Sequence, residues 1–199
     1  MNPIFNHPCN VVTPAQTQPF PQQSRPVLNA NWLPRFILLV LVLSLTSVCA
    51  AKTPRQLDFY HTHTGKSLSI VYYDGDKYNS AALKQISEFL GDFRTGTVHA
   101  IAPETLDILY KLRTEFGGEG TFEIISAYRS PKTNSMLRNK SSGVAKRSLH
   151  MEGKAIDVRL RGVNTALLKQ AALKLQLGGV GYYHKSDFIH VDNGRVRRW

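Results

Sequence analysis

The sequence predicts an α+β fold: a small single domain with a mainly antiparallel sheet flanked by helices. Strand-like and helix-like segments do not alternate strictly, as a doubly wound sheet would require. Residues 51–199 have the usual length of one domain. Within that stretch, segments with an apolar period of two stand beside segments with one apolar helical face.

Residues 1–35 are rich in Pro, Asn and Gln and show no hydrophobic period, so they are expected to be disordered or an over-extended N-terminus. From Phe36 the run FILLVLVLSLTSVCAA carries no charge and follows Arg35. Val48 and Ala50 sit three and one positions before a cut after Ala50. Residues 36–50 therefore read as the hydrophobic region of a signal peptide. They fall short of the roughly 20 apolar residues that span a bilayer. A lipoprotein signal needs a small residue just before Cys49, and Val48 stands there. An uncleaved inner-membrane tether would leave the following domain on the same side, so either way residues 51–199 are expected to work outside the cytoplasm, in the periplasm or cell envelope.

Residues 56–63 and 68–73 are rich in Tyr, Ile, Val and Thr and flank Thr64-Gly65-Lys66-Ser67, which predicts a hairpin whose second strand alternates Leu68, Ile70 and Tyr72. Asn79 or Ser80 caps a helix carrying Leu83, Ile86, Phe89 and Leu90. Pro103 suits the first turn of another, with Leu106, Leu109, Tyr110 and Leu112. Phe122 to Ala127 reads as a strand, Pro131 to Lys140 as a short helix, and Ser141-Ser142-Gly143 opens a polar loop. A strand over about 155–160 follows. Asn164 caps a helix with Leu167, Leu168, Ala171 and Leu175 that ends at Gly178-Gly179, and Val180 to Val191 reads as two strands around a turn.

Composition narrows the chemistry. The formal charge is +11, and Arg25 and Arg35 are the only charged residues before position 51, so the basic character belongs to the folded part. Lys140, Lys146, Arg147, Arg159, Arg161, Arg195, Arg197 and Arg198 are expected to surround the site cleft, and they suit an anionic polymer or general solubility equally. Nucleic acid is a poor partner, because no recognition motif accompanies the charge and the chain reads as exported. Cys9 and Cys49 are the only cysteines, so a product beginning at Ala51 has no disulfide, thiol nucleophile or cysteine metal site.

The densest group of coordinating side chains is Ser148-Leu-His150-Met-Glu-Gly-Lys-Ala-Ile-Asp157, followed later by Asp187-Phe-Ile-His190-Val-Asp192. Two imidazoles and a carboxylate supply three zinc ligands and leave a fourth position for water. His190 and Asp192 share one strand face. On spacing alone, a surface histidine and a solvated aspartate explain the same residues. His61, His63 and His99 have no partner at ligand spacing and read as solvated or core histidines. Glu152 reads as a surface residue.

SLHMEGKAID closely resembles the Ser-x-His-x-x-Gly-x-Ala-x-Asp motif of the zinc D-alanyl-D-alanine peptidases, which share a fold with lysostaphin and the hedgehog signalling domain. SAYRS at 126–130 and the C-terminal GGVGYYHKSDFIHVDNGRVRRW extend the match in the same order. Together the three blocks are most similar to the bacterial endopeptidase branch once called domain of unknown function 882. The resemblance implies zinc held by His150, Asp157 and His190, with Asp187 as general base. It implies that Arg129 holds a substrate carboxylate or the developing oxyanion, and that Ser148 lies beside the substrate. Some relatives carry a histidine where this chain has Phe188. His184 is the nearest substitute and equally reads as a private surface residue. Asp187 needs a bulge or turn before His190, since three steps along a strand reverse a side chain. Asp192 reads either as a partner orienting a ligand or substrate amine, or as a turn cap before Asn193-Gly194.

The function so implied is a monomeric, zinc-dependent murein endopeptidase that hydrolyses amide bonds in peptidoglycan peptide cross-links, with membrane contact only through the N-terminal signal or an uncleaved anchor. Alternatives are a D-alanyl-D-alanine carboxypeptidase or dipeptidase, and a non-catalytic zinc-containing peptidoglycan-binding module.

Overall fold

The computed structural model describes residues 53–141 and 143–199. The expectations for residues 1–35, the signal segment and its cleavage site lie outside the described residues. Among the described residues no helix is long and apolar enough to cross a membrane.

The strands are β1 (Arg55–His61), β2 (Ser67–Tyr73), β3 (Phe122–Ser126), β4 (Ala155–Leu160), β5 (Gly179–Tyr183), β6 (Phe188–Asp192) and β7 (Arg197–Arg198). The helices are α1 (Ser80–Phe89), α2 (Pro103–Thr114), α3 (Pro131–Lys140) and α4 (Thr165–Leu175). The strands form one sheet in the order β2-β1-β3-β4-β6-β5-β7. The α+β class therefore holds, but the sheet is mixed. β1 runs parallel to β3 and β5 parallel to β7, while the other neighbours are antiparallel. The parallel β1–β3 pair arises because α1 and α2 intervene and return the chain to the same end, a crossover that local patterning does not reveal.

Each helix starts where its chemistry directs. Asn79, Ser130 and Asn164 accept hydrogen bonds from the first turns of α1, α3 and α4, and Pro103 opens α2, where its missing N–H costs nothing. Helix α4 ends earlier than the glycine pair suggests, at Gln176 in the left-handed conformation (φ 51°). Leu106, Leu109 and Leu112 of α2, Leu168 of α4, and Ile156, Val158, Ile189 and Val191 of the central strands build the core. The guanidinium of Arg113 fastens α2 to β1 through the Asp58 carboxylate (2.9 Å) and the Gln56 carbonyl (2.6 Å).

Alternation along β4 and β6 then dictates where the polar chemistry goes. With Ile156 and Val158, and Ile189 and Val191, turned into the core, Asp157, His190 and Asp192 point to the opposite face. Asp157 and His190 are direct cross-strand partners, so the sheet register brings them together.

Candidate metal centre

His150 arrives from outside the sheet. It lies in a single 3-10 turn, Leu149–Glu152, closed by Gly153 in the left-handed region (φ 64°). A Cβ at Gly153 would stand 2.0 Å from the Ala100 carbonyl oxygen, so this tight reversal demands glycine. The same turn carries the chain into β4 and sets His150 over Asp157.

The three side chains converge. The His190 Nδ1 lies 2.9 Å and the His150 Nε2 3.2 Å from Asp157 Oδ1, and the two imidazole nitrogens are 3.1 Å apart. All three residues are buried. The rear nitrogen of each ring is already engaged: His150 Nδ1 donates to the Ala127 carbonyl (2.6 Å) and His190 Nε2 to the Asp192 carboxylate (2.9 Å). Those partners fix the tautomers and leave three lone-pair donors facing one point. Such a group needs a positive charge among its atoms, either a proton or a cation. Ligand atoms around tetrahedral zinc stand about 3.3 Å apart at metal–ligand distances of about 2.0–2.1 Å, so the donor types and their spacing fit that ion.

The electrostatics follow the same plan. Burial raises the Asp157 carboxyl, but the two imidazoles outweigh it and hold it well below the usual carboxylate range. Burial lowers His150 and keeps that ring neutral. His190 is also penalised by burial, yet its hydrogen bonds to Asp157 and Asp192 carry it above its ordinary value.

Asp192 is fully buried and accepts five hydrogen bonds. Its Oδ2 takes His190 Nε2 and Arg197 Nη2 (2.7 Å). Its Oδ1 takes Arg197 Nη1 (3.0 Å) and the backbone N–H groups of Gly179 (3.1 Å) and Gly194 (2.9 Å). The two readings of this residue coexist, since it caps the turn and orients His190 at once.

A cleft of about 280 Å³ opens over the cluster. Arg129 and Ser148 line it, with the Arg129 Nη2 donating to Ser148 Oγ at 3.0 Å and the buried Nε left without a partner. Arg129 follows β3 in a segment held by four bonds: Tyr128 N–H to the Leu90 carbonyl, Arg129 N–H to the His150 carbonyl, and the Ser130 N–H and hydroxyl to the buried Asp92 carboxylate. Burial lowers the Arg129 pKa.

The structure does not bring Asp187 to this cluster. The residue adopts a left-handed conformation (φ 51°) ahead of β6, its carboxylate accepts from the Thr165 hydroxyl and lies 3.8 Å from the Arg159 Nε, and it is 67% exposed. It is not part of the cleft wall, where Asp157 is the only carboxylate among the described residues. The turn that was needed is present, but it aims the side chain at α4. His184 also stands apart, against the Tyr182 hydroxyl (3.1 Å). Glu152 pairs with Lys154 at the surface. His61 and His63 pack with Phe93, and His99 stacks on Tyr128.

Sequence reasoning placed Arg197 by the cleft and Phe188 at a site position but missed Tyr183 and Trp199 as cleft-lining residues. The available signal was Gly179-x-Gly181-x-Tyr183, a strand with two empty positions on the site face, which calls for another element to fill them.

A family model described as peptidoglycan L,D-endopeptidase MepK matches residues 49–199. The peptidoglycan L,D-endopeptidase MepK of Escherichia coli strain K12 is 39% identical over 146 residues, covering 73% of this chain and 80% of that protein. The probable peptidoglycan L,D-endopeptidase MepK of Haemophilus influenzae is 40% identical over 161 residues, covering 80% and 87%. No solved structure matches.

Proposed function

This chain belongs to the peptidoglycan L,D-endopeptidase family of the zinc D-alanyl-D-alanine peptidase group, and from that premise we propose that it is a zinc-dependent murein endopeptidase whose metal is held by His150, Asp157 and His190. The single observation that carries the reading is the convergence of three buried lone-pair donors whose two histidine tautomers are fixed from behind. Further support is the fit of those residues to the motif positions that hold metal in the wider group.

Zinc in a three-ligand site supplies Lewis-acid chemistry, making water a nucleophile near neutral pH and withdrawing charge from an amide carbonyl. The rest falls to side chains of this chain. Ala127 and Asp192 keep the imidazoles in ligating tautomers. Arg129, braced by Ser148, offers a buried positive charge to a substrate carboxylate or to the oxyanion that forms when water attacks the amide carbon. The C–N bond then breaks, and the amine leaves with the proton that the water gives up. Arg147 adds positive charge to the cleft wall, which suits the free carboxylates of peptidoglycan stems. Residues 36–50 act as the export signal on this reading, and the site works in the periplasm or envelope.

Asp187 receives no part in the reaction. Asp187→Ala is expected to keep one zinc per chain and to change kcat/KM by no more than about twofold, as for an exposed surface carboxylate. A hundredfold loss of turnover with zinc retained would restore it as the base.

The function itself is tested by mass spectrometry of defined cross-linked muropeptides incubated with the zinc-loaded chain, with His190→Ala as control. Dimers are expected to become monomers with the zinc form alone. Loss of a terminal D-alanine only would make the protein a carboxypeptidase, and bound zinc with no mass change would make it a binding module.

A further inference from the structure

Tyr183, Phe188 and Trp199 form the aromatic wall of the cleft beside His190, and the mechanism above gives them no work. Their arrangement starts from a missing side chain. Gly181 on β5 is the cross-strand partner of His190, and Tyr183 is the partner of Phe188, so Gly181 and Tyr183 share the sheet face that carries the metal ligands. Because Gly181 has no Cβ, the Trp199 indole settles onto it; a Cβ there would come within 2.6 Å of the ring.

The indole is fixed on several sides. Trp199 N–H donates to the Val180 carbonyl (3.3 Å) and the Trp199 carbonyl accepts from Tyr182 (3.1 Å). The Arg197 guanidinium, itself gripped by Asp192, lies 4.9 Å from the indole ring. The ring centroid stands 5.1 Å from that of His190. From this position the indole N–H donates to the Tyr183 phenol oxygen at 3.2 Å. The Tyr183 ring is held in turn by stacking on Phe188, with centroids 4.6 Å apart and planes 16° from parallel.

Indole nitrogen is a donor only, so in this contact the phenol oxygen must accept. The phenol's own proton has no acceptor among the described residues, and Tyr183 lines the cleft. Arg129 lines the same cleft. A phenol and a guanidinium thus line the same cleft as the three proposed ligands.

We propose that Tyr183 is a further catalytic residue: its hydroxyl, aimed by the Trp199 indole, donates a hydrogen bond to the carbonyl oxygen of the scissile amide as negative charge develops there. The proton stays on the phenol, and the step makes and breaks no covalent bond of the protein. Trp199 is the positioning residue. The inference rests on the endopeptidase reading and adds to it the donor that complements Arg129.

The test uses the full zinc-loaded chain with a defined cross-linked muropeptide and with a phosphinate analogue of the same peptide as a tetrahedral anionic probe. Tyr183→Phe keeps the ring stack and loses the hydroxyl. It is expected to lower kcat about 100-fold, near the low end for a single oxyanion donor, with KM within twofold and zinc content unchanged. Phosphinate affinity should fall by a similar factor. Trp199→Phe, which keeps an aromatic ring and loses the N–H, should lower kcat by a smaller factor in the parent and by nothing further in the Tyr183→Phe background. An unchanged kcat in Tyr183→Phe, a loss confined to KM, or a loss of zinc overturns the proposal. Absence of cleavage by the parent chain overturns the endopeptidase reading, and the inference falls with it; cleavage by the parent and by Tyr183→Phe at equal rates overturns the inference alone.

Discussion

His190→Ala is expected to abolish zinc binding and to reduce muropeptide cleavage to background, while far-ultraviolet circular dichroism stays that of the parent. The imidazole contributes one of three donors at a buried point, and the remaining pair, His150 and Asp157, cannot form a three-ligand site. Stability of the metal-free protein should fall as well, by about 3–5 kcal/mol, because the substitution strips Asp157 of the imidazole that hydrogen-bonds it and leaves a buried carboxylate less compensated. Thermal unfolding of the metal-free forms measures that term separately from activity. Undiminished cleavage by a metal-free His190→Ala protein would end the zinc reading.

The same residue sets a pH dependence. His190 sits above its ordinary value of 6.5 despite burial, because Asp157 and Asp192 favour the imidazolium. In the metal-free protein its contribution to stability is therefore fully present below about pH 6.5 and is lost as pH rises through the elevated value. Metal binding runs the other way. A ligand must shed its proton, so zinc affinity should climb with pH across that interval, about tenfold per unit for one proton released, and level off above it. Competition against a chromophoric chelator at several pH values reads the slope directly. A flat profile between about pH 6 and 8 would remove His190 from the ligand set.

Much of this architecture was legible because it is locally encoded. Asn79, Pro103, Pro131 and Asn164 mark helix starts that the structure reproduces, and a period of two along β6 puts His190 and Asp192 on one face, as observed. Whatever depends on long-range pairing was hidden. The parallel β1–β3 contact needs two intervening helices to fold back, and β7 is two residues long, below the length at which a period of two is detectable. Asp187 shows the intermediate case. Its sequence position three before His190 is right for the motif, yet a single left-handed backbone torsion turns its carboxylate to Thr165. Patterning gives side-chain spacing, and that one angle decides direction. Trp199 escaped notice for another reason: its significance comes from space left empty at Gly181, and an absent side chain carries no chemical signature of its own.

Asp192→Asn should be the most damaging change outside the proposed ligand set. All of the carboxylate's partners are donors: His190 Nε2 and Arg197 Nη2 on one oxygen; Gly179 N, Gly194 N and Arg197 Nη1 on the other. An amide of the same shape must place its NH₂ against one of these sets. Either orientation leaves at least two donors opposed in a fully buried position and removes the charge that offsets Arg197. The expected cost is about 3–5 kcal/mol of stability, with a 10- to 100-fold loss of zinc affinity as His190 loses the partner that fixes its tautomer. Arg197→Met separates the two effects. It leaves the His190–Asp192 bond in place and frees the C-terminal strand, so stability should drop while zinc affinity stays within about threefold, the usual scatter for a change that spares the ligand's own partner. Equal zinc affinities for Asp192→Asn and the parent would mean that His190 is oriented by the sheet alone. A loss in Asp192→Asn that Arg197→Met does not share would establish that the buried carboxylate orients His190 itself, whether or not the C-terminal strand is held.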